Sequence, residues 1–139
     1  MSIRRQARIK ALQLLYRWEM TGYEPSGRLF PDFWSMYGDR LPAAAREYAE
    51  ELVCGYLEHR DSIDRWIQEV AQNWRLERMA HVDRNLLRIA AYEILYREDV
   101  PVLVSIDEAV EIARRFGSEA SAAFVNGILD ALARRHAKL

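Results

Sequence analysis

One cysteine among 139 residues, Cys54, excludes an internal disulfide, and without a second cysteine it cannot build a thiolate metal site or a redox pair. It is expected as a small buried hydrophobe, which accords with a reducing cytosol. The six glycines stand singly, so there is no glycine-rich phosphate loop. His59, His81 and His136 lie far apart, with no partner at metal-ligand spacing. Neither a nucleophile elbow nor a helical His-Glu-x-x-His motif occurs. No metal, no cofactor and no catalytic residue is therefore expected: the chain does not read as an enzyme. No uninterrupted apolar run reaches the roughly 18 residues of a membrane span. With four prolines and half its residues hydrophobic, the chain has the composition of one globular domain, residues 1–139. That length buries roughly two-thirds of the unfolded surface.

Acids are missing from both ends. Met1 to Trp18 carries five basic residues (Arg4, Arg5, Arg8, Lys10 and Arg17) and no acid, and Ala131 to Leu139 carries Arg134, Arg135 and Lys138 and no acid. All 21 acids therefore fall between Glu19 and Asp130, where 12 basic residues leave a net charge of −9. Basic residues in the tail suit the negative end of a helix dipole. Those in the head oppose the dipole, so an anionic partner is the better explanation there.

Helical periodicity accounts for most of the chain. A first helix is expected from Ile3 to Met20, stopping at Thr21-Gly22. It carries two apolar stripes, Ala7, Ala11, Leu14 and Trp18 on one side and Ile9, Leu12 and Tyr16 on another. That pattern fits a helix threading a bundle or one burying a stripe against another protein. Gly22 to Pro42 is broken by prolines and glycines but is rich in aromatics. Phe30, Phe33, Trp34 and Tyr37 predict a short helical turn after Pro31 that staples the loop down, since no basic cluster interleaves these rings in sequence. Helices are expected over Ala43 to His59 with Tyr48, Leu52, Cys54 or Gly55, and Tyr56 inward, then after an Asp61 or Ser62 cap with Ile63, Trp66, Ile67 and Val70, and over Val82 to Glu98 with one apolar stripe. Pro101 breaks the chain at Val100. Ser105-x-x-Glu108 reads as a capping box opening the next helix, the serine contributing about 1 kcal/mol. Gly117 closes that helix and Ser118 opens the last, which runs to about His136. The fold class is all-α, with six or seven helices.

Three blocks in the last third stand out: Val82-Asp83-Arg84-Asn85-Leu86-Leu87-Arg88-Ile89-Ala90-Ala91-Tyr92-Glu93, then Ser105 to Gly117, then Phe124-Val125-Asn126-Gly127-Ile128-Leu129-Asp130. Their order and spacing resemble the NusB family of bacterial transcription antitermination factors, as does Arg4-Arg5-Gln6-Ala7-Arg8-Ile9-Lys10 followed by Ala11-Leu12-Gln13-Leu14-Leu15-Tyr16. The resemblance implies two small helical bundles packed into one domain and a non-enzymatic adaptor in the cytoplasm. Such an adaptor binds single-stranded boxA-type RNA together with the ribosomal protein NusE. It joins the antitermination complex on RNA polymerase and supports ribosomal RNA transcription. Carried over residue by residue, RNA falls to Arg4, Arg5, Arg8, Lys10 and Phe124, and the NusE face to Tyr16, Met20 and Asp83. The residues themselves also allow Tyr16 a place in the bundle, Asp83 a dipole role and Phe124 a core one. Arg88 and Glu93 are read as a structural pair on a helix surface. Ile9, in place of a usual acid, and Ala122-Ala123, in place of a more polar pair, depart from the family pattern, and the aromatic loop has no counterpart in it.

Some family members self-associate, and the second stripe of the first helix leaves a homodimer open. The rival from another class is a helical interaction module without an RNA role, its basic head lying on a membrane or an acidic protein. Against a membrane, the arginines do not form one polar face opposite one apolar face.

Overall fold

The computed structural model describes residues 1–38 and 40–139. Among them the chain forms seven α-helices and no strand: α1 (Ile3–Thr21), α2 (Phe30–Tyr37), α3 (Ala43–Glu58), α4 (Arg60–Val70), α5 (His81–Tyr96), α6 (Val102–Phe116) and α7 (Glu119–Arg135). A π-helical turn, Pro25–Leu29, leads into α2, and a 3₁₀ turn, Leu76–Arg78, lies before α5. The all-α class is as the sequence predicts. Two compact units result, Met1–Leu57 and Glu58–Leu139. No helix among the described residues is long and apolar enough to cross a membrane.

In the first unit, α1 opens on Ser2, whose Oγ accepts the Arg5 backbone N–H at 3.1 Å. It closes on Gly22, at φ 70°, whose N–H donates to the Trp18 carbonyl at 2.8 Å. A left-handed residue is needed there, and glycine takes that conformation without strain. Both stripes are buried as far as Leu15, as the threading helix requires. Tyr16 departs from the bundle expectation: it lies where the second stripe runs out into solvent and is 42% exposed. The aromatic loop is stapled as expected. Phe30, Phe33 and Trp34 are buried, and Trp34 Nε1–H donates to Glu50 Oε2 on α3 at 2.7 Å. On α3, Tyr48, Leu52 and Tyr56 face inward together with Gly55. Cys54 is exposed, not buried as expected, because the helical turn that points Gly55 inward carries its neighbour outward.

In the second unit neither Asp61 nor Ser62 caps α4. That helix begins earlier, at Arg60 behind His59, and Asp61 sits in its first turn, where the dipole favours an acid. The single-stripe expectation for α5 also gives way. Asn85 through Ile94 are all buried, with α4, α6 and α7 packed around them. Arg88 and Glu93 are therefore not a surface pair. Arg88 is enclosed and forms a two-pronged bridge to Asp64 of α4, Nε to Oδ1 and Nη2 to Oδ2, each at 3.0 Å. Its Nη1 donates to Asn85 Oδ1 at 3.1 Å.

The capping box at Ser105 is overturned as well. Pro101 stands at the N-cap position of α6, so the helix takes in Val102-Leu103-Val104 and buries Ser105 in its second turn. Proline suits a helix start, its missing N–H being one of the donors left without an intrahelical partner there. The Ser105 hydroxyl has no hydrogen-bond partner among the described residues. A buried hydroxyl left unsatisfied costs about 1–3 kcal/mol. Ser105→Ala is therefore expected to raise stability by about 1 kcal/mol, where a capping serine would lose that amount; urea denaturation of the two proteins decides the sign. Gly117 ends α6 at φ −118°, and a Cβ there would lie 2.9 Å from the Ala113 carbonyl oxygen and 2.7 Å from Ser121 Oγ. Close approach, rather than a left-handed turn, accounts for the glycine. Ser118 then caps α7 by accepting the Ser121 N–H at 3.0 Å.

Candidate nucleic-acid interface

The basic head is helical from Ile3 onward, with no acid in its first turn. Its cations divide between two tyrosines. Arg4 Cζ lies 4.2 Å from the ring centroid of Tyr48 on α3, and Arg8 Cζ lies 6.0 Å from the same ring. Arg4 is exposed and Arg5 half-buried, whereas Arg8 is only 3% exposed. Arg8 thus sits beneath the surface beside Tyr48 and does not present a guanidinium to a phosphate in solution. Lys10 turns away from this pair. Its Nζ approaches Gln13 Oε1 at 3.3 Å and lies 5.8 Å from the Tyr37 ring, with Arg17 Cζ 5.9 Å from that ring. Tyr37 is exposed at the end of α2. Arg46 lies over Trp34 at 5.0 Å and Arg28 over Tyr23 at 4.3 Å. The loop's rings, which no basic cluster interleaves in sequence, do meet cations in space.

At the other end of α1, Tyr16 and Met20 are four residues apart and so share a face. Met20 is 68% exposed. In the second unit, Asp83 occupies the first turn of α5, where the dipole favours its charge, and its Oδ1 is buried without a hydrogen-bond partner among the described residues. Phe124 lies in the second turn of α7, half-buried, and meets Trp74 edge to face at 5.7 Å between centroids. The sequence places Trp74 with Leu76 and Met79 in a short linker or helical turn and does not mark its ring as a site residue; Arg75, which follows it, was the available signal. Asn126 is exposed.

Among the described residues, no group of three or more histidines, cysteines or acids could hold a metal ion. Exposed cations and rings mark each unit taken by itself. The fold and site are those of an all-helical binding protein with a basic first helix. Residues 5–134 match the model of the NusB family. The chain is 48% identical over 129 residues to the transcription antitermination protein NusB of Desulfitobacterium hafniense (strain DSM 10664 / DCB-2), an alignment covering 91% of this chain and 85% of the relative. It is 46% identical over 136 residues to the protein of the same name from Myxococcus xanthus, with 96% of each covered. Among solved structures, T. maritima NusB superposes with a TM-score of 0.82 at 37% identity, covering 94% of this chain and 90% of that one. A crystal structure of the antitermination factors NusB and NusE in complex with double-stranded RNA gives a TM-score of 0.84 at 28% identity, covering 97% and 98%. The chain belongs to the NusB family, which comprises non-enzymatic transcription antitermination factors.

Proposed function

We propose that this chain, acting as a single functional domain in the cytoplasm, binds single-stranded boxA-type RNA together with NusE. It thereby helps assemble the antitermination complex on RNA polymerase and supports ribosomal RNA transcription. The observation that carries the reading is the acid-free start of α1, where Arg4 and Arg5 reach solvent on a helix whose dipole they oppose. The related NusB crystallised with NusE and double-stranded RNA supports both partner classes. Arg4, Arg5 and Lys10 take phosphates, Phe124 takes a base, and Arg8 contributes by fixing Tyr48 beneath Arg4. Three phosphate contacts on a single strand give a salt slope of only about −2, so the chain alone binds weakly and needs a partner's surface. For NusE, the first unit supplies Tyr16 and Met20, and the second unit supplies Asp83. A second copy of the chain is the competing occupant of Tyr16 and Met20.

Fluorescence anisotropy of a boxA RNA and a scrambled control, with and without NusE and at two salt concentrations, tests this. Sequence-selective binding that strengthens when NusE is present is the expected result. Equal, weak binding of both RNAs in every condition would overturn it.

A further inference from the structure

The most exposed tryptophan of the chain is not placed by packing alone. Trp74, 59% exposed, lies in the segment between α4 and the 3₁₀ turn, and that segment is pinned by one side chain. Gln68 Nε2 donates to the carbonyls of Ala71 and Trp74, at 3.1 and 2.8 Å, and Gln68 Oε1 accepts the Leu76 N–H at 2.8 Å. A single amide thus fixes the backbone on both sides of Trp74. Leu76, just beyond, is buried and anchors the far end. Water exposure of a large indole is unfavourable, at roughly 25 cal/mol per Å² of apolar surface. A segment held this firmly to display one points to a ligand.

We propose that Trp74 is a base-stacking residue of the RNA site, forming with Phe124 a two-ring platform for unstacked nucleotides. This rests on the RNA reading above and extends it to a residue outside the predicted set. The geometry suits stacking: the rings meet at 78°, so Phe124 backs Trp74 edge to face while a large part of the indole stays open. Two arginines follow it in the chain. Arg75 and Arg78 are exposed on either side of Leu76, in a chain whose middle stretch is otherwise acidic. Arg75 is held by Glu77 at 2.6 Å. The Glu77 carboxyl is kept below the usual carboxylate range, chiefly by its own backbone N–H and also by Arg75, so this pair stays charged near neutral pH. An aromatic face beside cations is the arrangement by which single-stranded nucleic acid is bound, each base stacked on a ring contributing severalfold or more to affinity.

The test uses the full chain with NusE and the boxA RNA. Trp74→Ala is expected to weaken RNA binding about tenfold with an unchanged salt slope, since stacking releases no counterions, and Trp74→Phe to restore most of the affinity. RNA is expected to quench the tryptophan emission of the wild type, and that quench to vanish in Trp74→Phe although it still binds. Thermal melts are expected to be unchanged in both variants, the ring being largely in water. Wild-type affinity in Trp74→Ala would overturn the proposal while leaving the RNA function intact. Loss of NusE binding with unaltered RNA binding would also overturn it, assigning the ring to a protein contact. A wild type that binds no RNA would remove both readings.

Discussion

Asp64→Ala is expected to lower the stability of the chain by about 3 kcal/mol, the largest effect of any single substitution considered for this fold. The Arg88 side chain is 8% exposed and Asp64 22%. Two parallel hydrogen bonds between a guanidinium and a carboxylate form the tightest geometry such a pair adopts. Removing the carboxylate takes both of these bonds from a charge that lies beneath the surface, while the bond from its third nitrogen to Asn85 stays. Breaking an enclosed pair in this way costs about 3–5 kcal/mol, and the partial exposure of Asp64, which lets water take over part of its role, sets the value at the lower end. Replacing both members with apolar residues, Asp64→Leu with Arg88→Met, is expected to recover most of the loss, because the desolvation of both charges disappears with them. Urea midpoints at constant m-value measure each step. A single-mutant loss under about 1 kcal/mol would show that water replaces the carboxylate fully.

The second large effect concerns binding. Arg4→Glu with Arg5→Glu is expected to reduce boxA RNA affinity on the order of 100-fold and to flatten the salt dependence from about −2 to less than −1. Each reversal removes one phosphate neutralisation and adds a repulsion, while the cap at Ser2 and the apolar stripes are untouched. Acids at a helix start agree with the dipole, which offsets the lost contact of Arg4 with Tyr48, so the doubly reversed chain is expected to stay folded with a stability close to the parent's. Anisotropy titrations across a salt series, with a thermal melt of the same sample, separate the two quantities. An unchanged salt slope would move the anion site away from α1.

Helix boundaries were legible wherever a single residue type decides the local backbone. Gly22 closed α1, Pro101 marked the break before α6, and Ser118 opened α7, each through a mechanism that acts within one turn. The misreadings arose where tertiary packing chose between equally good local patterns. Ser-x-x-Glu is compatible with a cap and with a helix interior, and only the placement of Pro101 four residues earlier settled it. The polar residues Asn85, Arg88 and Glu93 broke the apolar pattern of α5, so periodicity showed one stripe on a helix that is in fact enclosed. The site was legible as charge but not as geometry. Arg8 matched the basic pattern, yet Tyr48, 40 residues further along the chain, draws it inward. Trp74 left no periodic mark because the loop that presents it is held by Gln68, a residue whose role is visible only as three hydrogen bonds.

The enclosure of α5 gives the molecule an internal clock for deuterium uptake. Amides in the middle of a helix surrounded by three others lose their protons only when the whole unit opens, so exchange over residues 85–94 reports the global unfolding free energy. Amides outside this enclosed helix, such as those of residues 71–76, exchange without opening of the whole unit and so on a faster scale. A ligand that slows exchange at the loop and at the start of α1 but leaves α5 unchanged has bound there without tightening the fold. One that slows all three in proportion has stabilised the protein as a whole.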